Sequence, residues 1–438
     1  MSIENQETIA PSYAESEKKV QVQSYTKESD PPRPSHPPFP EGGFQAWATA
    51  FGAFLIQFCG FGYTTSFGVF QDYYVRVHLP EESASTISWI GSINAFLVIA
   101  GGLLAGRLCS SMGGSILISF SLFMLSLTKP DHYYQVLLAQ GFGVGVGTGM
   151  IYVPSVAVLS HYFHRRRSSV MTFVAAGSSL GAVIHPIMLN NTLDKIGFPT
   201  ATRANAGLIS GLLLIACLSM RTRLPPPAVT PNLKKALIKF SKDKAYVCCA
   251  FGFLFFITGL YYPLFYIQLD AIKHGLNPSF SFYSLVILNG SSFFGRIASG
   301  FLAGAVGVGN LVIAATFCCS ILIFSMIAIS SIASVVIIAI LIGFFSGVYI
   351  ALMAPMVANL ADDFSEIGLR MGIGFMLAGV GGLIGTPIEG ALLTSNYHWW
   401  RAEVFTGVMA LTGCACYSAM VFFLHQKQRR KQEYIERE

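Results

Sequence analysis

Charge is scarce in this chain: 11% of its 438 residues are Asp, Glu, Lys or Arg, while 53% are hydrophobic. Soluble domains run near a quarter charged, so a water-soluble fold of this length could not hide so much apolar surface. Mean hydropathy is +0.57. No continuous basic face exists to match the net charge of +6. The basic residues are split among short tracts between apolar runs, which argues against a nucleic-acid partner and for topology signals. The nine cysteines (59, 109, 217, 248, 249, 318, 319, 414 and 416) lack the spacing of a metal site or disulfide framework. All lie in or at the edge of apolar runs, where a thiol behaves as a small hydrophobe. The first forty residues lack an apolar h-region, so the expectation is no cleavable signal peptide and insertion directed by the first span. Their polar, Pro-rich composition, ending in PPRPSHPPFP, predicts disorder.

What the chain does have is long apolar runs. A span needs about 20 largely uncharged residues, and lipid leaves backbone groups no partner outside a helix or a closed barrel. The runs do not alternate as barrel strands would. Six spans are expected near 47–70, 85–106, 113–128, 134–158, 168–190 and 204–220. Residues 221–244 interrupt them with seven basic side chains, one acidic and four prolines, and read as a hydrophilic linker. Six more follow near 245–268, 282–304, 309–330, 333–358, 370–392 and 402–425. The expected fold is therefore an all-α membrane protein with twelve transmembrane helices in two six-helix bundles. Its divisions are a tail over 1–46, bundles over 47–220 and 245–425, the linker over 221–244 and a charged tail over 426–438.

Orientation follows from loop Lys and Arg. With the N-terminus inside, 21 of the 28 basic residues fall on the cytoplasmic side and six on the other, leaving Arg296 within a span. Both termini and the linker are expected in the cytoplasm. The halves also repeat weakly. Gly145 and Gly149, then Tyr152 and Pro154, correspond to Gly343 and Gly347, then Tyr349 and Pro355; Gly177, Gly181 and Pro186 correspond to Gly381, Gly385 and Pro387. Small residues let helices approach and prolines let them bend, although both are common in membrane helices generally.

Six plus six helices about a basic linker resemble the major facilitator superfamily. Within it, Glu41-Gly42-Gly43-Phe44-Gln45-Ala46-Trp47 is similar to the acidic-Gly-Gly-aromatic-x-x-Trp entry signature of the monocarboxylate transporter family, in its fungal branch. The run His161-Tyr162-Phe163-His164-Arg165-Arg166-Arg167, leading into Ala175-Ala176-Gly177-Ser178, is similar to that family's Tyr-Phe-x-basic-Arg-Arg signature. The resemblance covers 41 to about 425 and implies a secondary transporter working by alternating access. Its departures bear on the cargo. Thr65 stands where animal members place a coupling lysine, and Ser292 replaces the aspartate one turn before Arg296. Lactate-type symport is thus not implied. The loop Gly106 to Gly114 lacks the family's acid, as does Gly304-Ala305-Val306-Gly307 its Asp-Arg pair, and only 21 residues between Arg107 and Lys129 supply both a connection and the third span.

Ionisable groups within spans are costly and usually functional. Arg296, about fourteen residues into the eighth span, could fork a carboxylate, or satisfy a backbone carbonyl or neighbouring helix end. Glu389 lies near the outer end of the eleventh span, where snorkelling is an alternative. His185, beside Pro186, could titrate or simply bond another helix. Tyr63, Thr64, Thr65, Tyr261, Tyr262, Tyr266, Gln268, Asn289 and Tyr349 are cavity candidates, with an interfacial aromatic belt as the other reading for rings near span ends. The family lines its cavity with spans 1, 4, 7 and 10, which favours the cavity for Tyr262 and Tyr349. Arg165, Arg166 and Arg167 either anchor a helix end at anionic lipid or guide and gate the cargo.

The expectation is a carrier for a small organic solute, a monocarboxylate or related metabolite among them, with proton coupling open and neither cofactor nor metal. The plasma membrane is the expected location, with a vacuolar or other internal membrane as the alternative. A transporter-like solute sensor would call for a long cytoplasmic extension. A membrane enzyme would call for clustered His, Asp or Glu, or a Ser/His dyad, and the spans offer isolated groups.

Overall fold

The computed structural model describes residues 41–101, 111–223, 233–273, 277–329, 331–393 and 399–435. The N-terminal tail to residue 40, most of the Gly106–Gly114 loop and the proline run of the linker lie outside the described residues. All regular structure among them is helical. In chain order the helices are α1 (Phe44–His78), α2 (Ala84–Ala100), α3 (Ser111–Leu125), α4 (Tyr133–His161), α5 (Arg167–Ile196), α6 (Phe198–Ser219), α7 (Leu233–Ser241), α8 (Lys244–Lys273), α9 (Pro278–Val306), α10 (Val308–Ser325), α11 (Ile332–Leu360), α12 (Phe364–Leu393) and α13 (Trp399–Ile435). Ten helices among the described residues are long and apolar enough to cross a bilayer; α2 and α3 are apolar but shorter.

The outside of the molecule is greasy. Phe44, Phe301, Phe294, Leu218 and Phe422 are all largely exposed, an arrangement stable only where the surroundings are as apolar as the side chains. The chain is an integral multi-pass membrane protein.

With lipid outside, apolar burial cannot drive helices together, and close backbone approach does so instead. A Cβ on Gly177 or Gly181 of α5 would strike the carbonyls of Phe54 and Phe58 on α1; a Cβ on Gly381 or Gly385 of α12 would strike Leu254 and Thr258 on α8. Gly149 of α4 meets Leu97 of α2 in the same way, and Gly343 and Gly347 of α11 meet Leu288 and Ser292 of α9. The paired glycines thus lie in corresponding helix contacts. In the first half α1 packs on α5 and α6, α2 on α4, and α3 on α4 and α6; in the second half α8 packs on α12 and α13, α9 on α11, and α10 on α11 and α13. Between the halves, α5 packs on α9 and α11, and α2 on α12.

Three boundaries differ from expectation. Helix α1 starts at Phe44, inside the expected tail, and runs on to His78, helped by the ion pair from Arg76 to Asp72 one turn earlier. Helix α2 runs to Ala100 with Gly101 as its cap, and the remainder of the expected span, to 106, lies outside the described residues. The linker contains α7, because Ala236 and Phe240 make one buried face at helical spacing. Helix α13 continues past 425 through HQKQRRKQEY, which holds no proline or glycine to stop it.

Phe240 of α7 lies under the guanidinium of Arg370, 4.6 Å from ring centroid to Cζ, and Tyr246 lies at 5.1 Å. Arg370 is 1% exposed. It donates to Asp243 at 3.0 Å and reaches Glu366 and Asp362 at 3.4 and 3.6 Å; Lys427 of α13 bonds Asp362 at 2.9 Å. Burial pushes the Asp362 carboxyl up, but Lys427 and Arg370 outweigh it and hold it below the usual carboxylate range. The network ties α7, α8, α12 and α13 together at one end.

Candidate functional site

A cavity of about 810 Å³ lies between the two halves. Gln71, Asp72 and Val75 near the end of α1, Ser88 and Trp89 at the start of α2, Gln268 and Ile272 near the end of α8, and Leu285 of α9 rim it. All belong to the end away from Arg165–Arg167. Its depth is aromatic and aliphatic, set by Phe61, Tyr152, Tyr261 and Phe375. Tyr152 bridges the halves, with ring centroids 5.9 Å from Phe61 and 6.2 Å from Phe375. Among the described residues the lining has one charged side chain, Asp72, already paired with Arg76 at the rim.

The opposite end is shut by one face of α5 against α9. Ser169 donates to the carbonyl of Gly300 at 2.7 Å, Arg296 to that of Ala175 at 2.7 Å, and Ser179 to Ser292 at 3.1 Å. Ascending along α5 the partners descend along α9, as antiparallel helices require. The Arg296 guanidinium also bonds the Ser178 hydroxyl, and its Nε lies 3.4 Å from Ser292. It is 4% exposed. Ser292, standing where the resemblance expects an acid, leaves Arg296 with neutral acceptors from both halves. Farther out, Arg167 donates to Asn359 at 2.9 Å.

Glu41 braces this closed end. Its carboxylate accepts the backbone N–H groups of His164, Arg165 and Arg166 at 2.9, 2.6 and 3.3 Å, while its own N–H donates to Tyr162 at 3.1 Å. Trp47 completes the contact edge-on against Phe163, 5.5 Å away. The two signature segments are thus one unit, with the acid on the orphan amides that precede α5. Burial pushes the Glu41 carboxyl up, but the Arg165, His164 and Arg166 amides hold it below the usual range. Glu41 has φ 51° and Gly43 has φ 89°; a side chain at 43 would be strained.

Of the sequence candidates, Thr65, Tyr261, Tyr266, Gln268 and Asn289 line the cavity. Tyr63 lies inside the first half, where Gln140 donates to it at 3.3 Å and accepts from Tyr74 at 2.6 Å. Thr64 donates to Asn94 at 2.9 Å, which in turn donates to the Gln140 carbonyl at 2.7 Å. His185 packs against the rings of Phe58 and Tyr63 at 4.8 and 6.0 Å. Tyr349 shares a 2.7 Å hydrogen bond with Tyr417, and Tyr262 donates to Glu403 at 3.4 Å. Glu389 is fully buried in the second half. Arg165 and Arg166 are exposed or nearly so. Sequence reading misses Phe61, Trp89 and Phe375 as cavity residues and gives Tyr152 only as a repeat marker; Ser88 and Ser92, one turn apart beside Trp89, line the same cavity and are the signal that could have found it.

The chain matches the Major Facilitator Superfamily over residues 49–341 and again over 280–437. It is 36% identical to "MFS-type transporter 1" of an Ophiocordyceps species, over 89% of this chain and 88% of that protein. It is also 36% identical to "Aspyridones efflux protein apdF" of Emericella nidulans, over 87% and 79%. Identity to "Agnestins efflux protein AgnL12" of Paecilomyces divaricatus is 34%, over 86% and 88%.

Proposed function

Because the chain belongs to the major facilitator superfamily and is a secondary transporter, we propose that it exports an uncharged, largely apolar organic molecule of drug-like size. The observation that carries this is the lining: a cavity of about 810 Å³ walled by rings, with Asp72 its one charged residue among those described. Cavities of this size enclose a drug-sized ligand, oriented by a few polar groups; here Thr65, Gln268, Asn289 and the tyrosine hydroxyls fill that role. A small carboxylate would find no cation among the described lining residues, since Arg296 is spent on Ala175 and Ser178. The monocarboxylate-transporter-like branch then names ancestry rather than cargo. Efflux is the direction printed in the names of two of the three relatives named above.

Alternating access on this chain uses twelve spans in two six-helix bundles over 47–220 and 245–425, with α7 on the linker. Loop charges favour the cytoplasm for Arg165–Arg167, the linker and both termini, and the plasma membrane suits an exporter. The cavity therefore faces outward, and Arg296 holds the cytoplasmic end shut. Return to the inward-facing form breaks its bonds to α5 while the bundles rock about the cavity. A carrier of this kind performs no catalysis.

Trp89 provides the test. Neutral aromatic compounds such as naphthalene-based dyes should quench its fluorescence saturably in purified protein, with the change absent from Trp89→Phe. Saturable quenching by acetate or lactate, with none by neutral aromatics, would reverse the cargo assignment.

A further inference from the structure

Glu389 is 0% exposed, and among the described residues neither of its carboxylate oxygens has a hydrogen-bond partner. It lies in the closing turns of α12, where the helix dipole opposes negative charge. Pro387, Gly390 and Ala391 around it line the cavity. The Tyr266 hydroxyl, also on the lining, stands 3.0 Å from where a Cβ on Gly390 would be. One layer of wall thus separates Glu389 from the transport path.

The described groups around it are acidic or phenolic. From α8, Tyr262 and Tyr266 lie within its electrostatic reach, and Tyr262 also faces Asp270 and the α13 residue Glu403. Arg401 of α13 is directed to the ring of Trp400, at 5.6 Å. Helix α2 carries no titratable residue, α4 contributes Tyr152, and α11 contributes Tyr349, already bonded to Tyr417. Lys273 ends α8, its side chain outside the described ones. Among the described residues no basic side chain pairs with Glu389 or Glu403, and no three His, Cys, Asp or Glu side chains group closely enough to hold a metal.

An isolated carboxylate there would lack both solvation and a partner, whereas a carboxylic acid is tolerated. Glu403 differs: it accepts from Tyr262 and sits near the start of α13, where the dipole favours an anion. We propose that Glu389 is the proton-binding site of the carrier, neutral while the cavity faces the Gln71–Gln268 end and discharging its proton when that wall opens to water. Each cycle binds one H⁺ and releases one H⁺, with no other bond changed. The coupling role rests on the transport reading; the proton occupancy does not.

Infrared spectroscopy of purified protein in lipid nanodiscs tests it, because a carboxylic acid C=O band is resolved from that of a carboxylate. Wild type should show such a band at neutral pH that disappears in alkaline buffer. Glu389→Gln should lack it with an unchanged melting temperature, Glu389→Asp should restore a shifted one, and Glu403→Gln should keep it. A wild-type spectrum without the band at neutral pH would overturn the proposal, as would a band that survives Glu389→Gln or vanishes with Glu403→Gln. Any of these results would leave Trp89 quenching, and the cargo reading it tests, unaffected.

Discussion

Arg296 and Ala175 join the two halves of the molecule through a 2.7 Å hydrogen bond from a guanidinium to a main-chain carbonyl. A buried cation bonded only to neutral acceptors is strong enough to hold a contact and weak enough to release it, because no opposite charge is left behind. Charge-assisted bonds of this kind contribute about 1.5–3 kcal/mol. Arg296→Gln should therefore shift the closed end toward opening by about tenfold or more. Spin labels at Arg165 and Gln428 in a cysteine-replaced background should report a longer, broader distance distribution. Arg296→Lys, a point donor without the fork, should fall between.

Glu41 makes a second prediction. Glu41→Ala removes a three-amide cap and should cost about 1–2 kcal/mol, as loss of a good helix cap does. Its carboxyl is held below the usual range, so the stabilisation is complete above the ordinary Glu value and is lost as pH falls through the lower folded value. Melting curves of wild type and variant should thus converge only in acid.

The glycine contacts yield a contrast. Gly347→Ala would drive a methyl into the Ser292 carbonyl, whereas Gly211 on α6 has nothing within 4 Å of an added Cβ. The first change should cost about 1–3 kcal/mol through overpacking, and the second should be neutral or mildly stabilising. Thermal stability in detergent, followed by gel filtration, distinguishes them.

Arg370 should be the least replaceable residue at the linker end. Removing it takes the buried cation from Asp243 and Glu366 and leaves them to the half-exposed Lys427 and Lys239, at a cost of about 3 kcal/mol. Arg370→Ala should yield little monodisperse protein, while Lys427→Ala, on the exposed side of the same network, should express normally.

The sequence made legible what depends on length, apolarity and small residues: the long spans, and the Gly pairs at 145/149, 177/181, 343/347 and 381/385 that turn out to seat helix on helix. It also flagged both signature segments, but not that Glu41 reaches 123 residues along the chain to His164, since no local rule encodes such a contact. Arg296 stood out as an intramembrane cation. Its alternatives, cargo or carbonyl, could be separated only by knowing that α5 lies opposite. The cavity rings of Phe61, Trp89, Tyr152 and Phe375 were hidden because lipid-facing and cavity-facing aromatics look alike when both surroundings are apolar. Helix α7 escaped because a nine-residue helix with three lysines reads as loop until Phe240 finds Arg370.

Counterflow in proteoliposomes tests the central claim most directly, with vesicles preloaded with one compound and offered it in labelled form, across neutral aromatic compounds and small monocarboxylates. The account predicts exchange of the former, abolished when Tyr152 and Phe375 are both replaced by Ala, and none of the latter. Exchange confined to monocarboxylates, insensitive to those two rings, would contradict it.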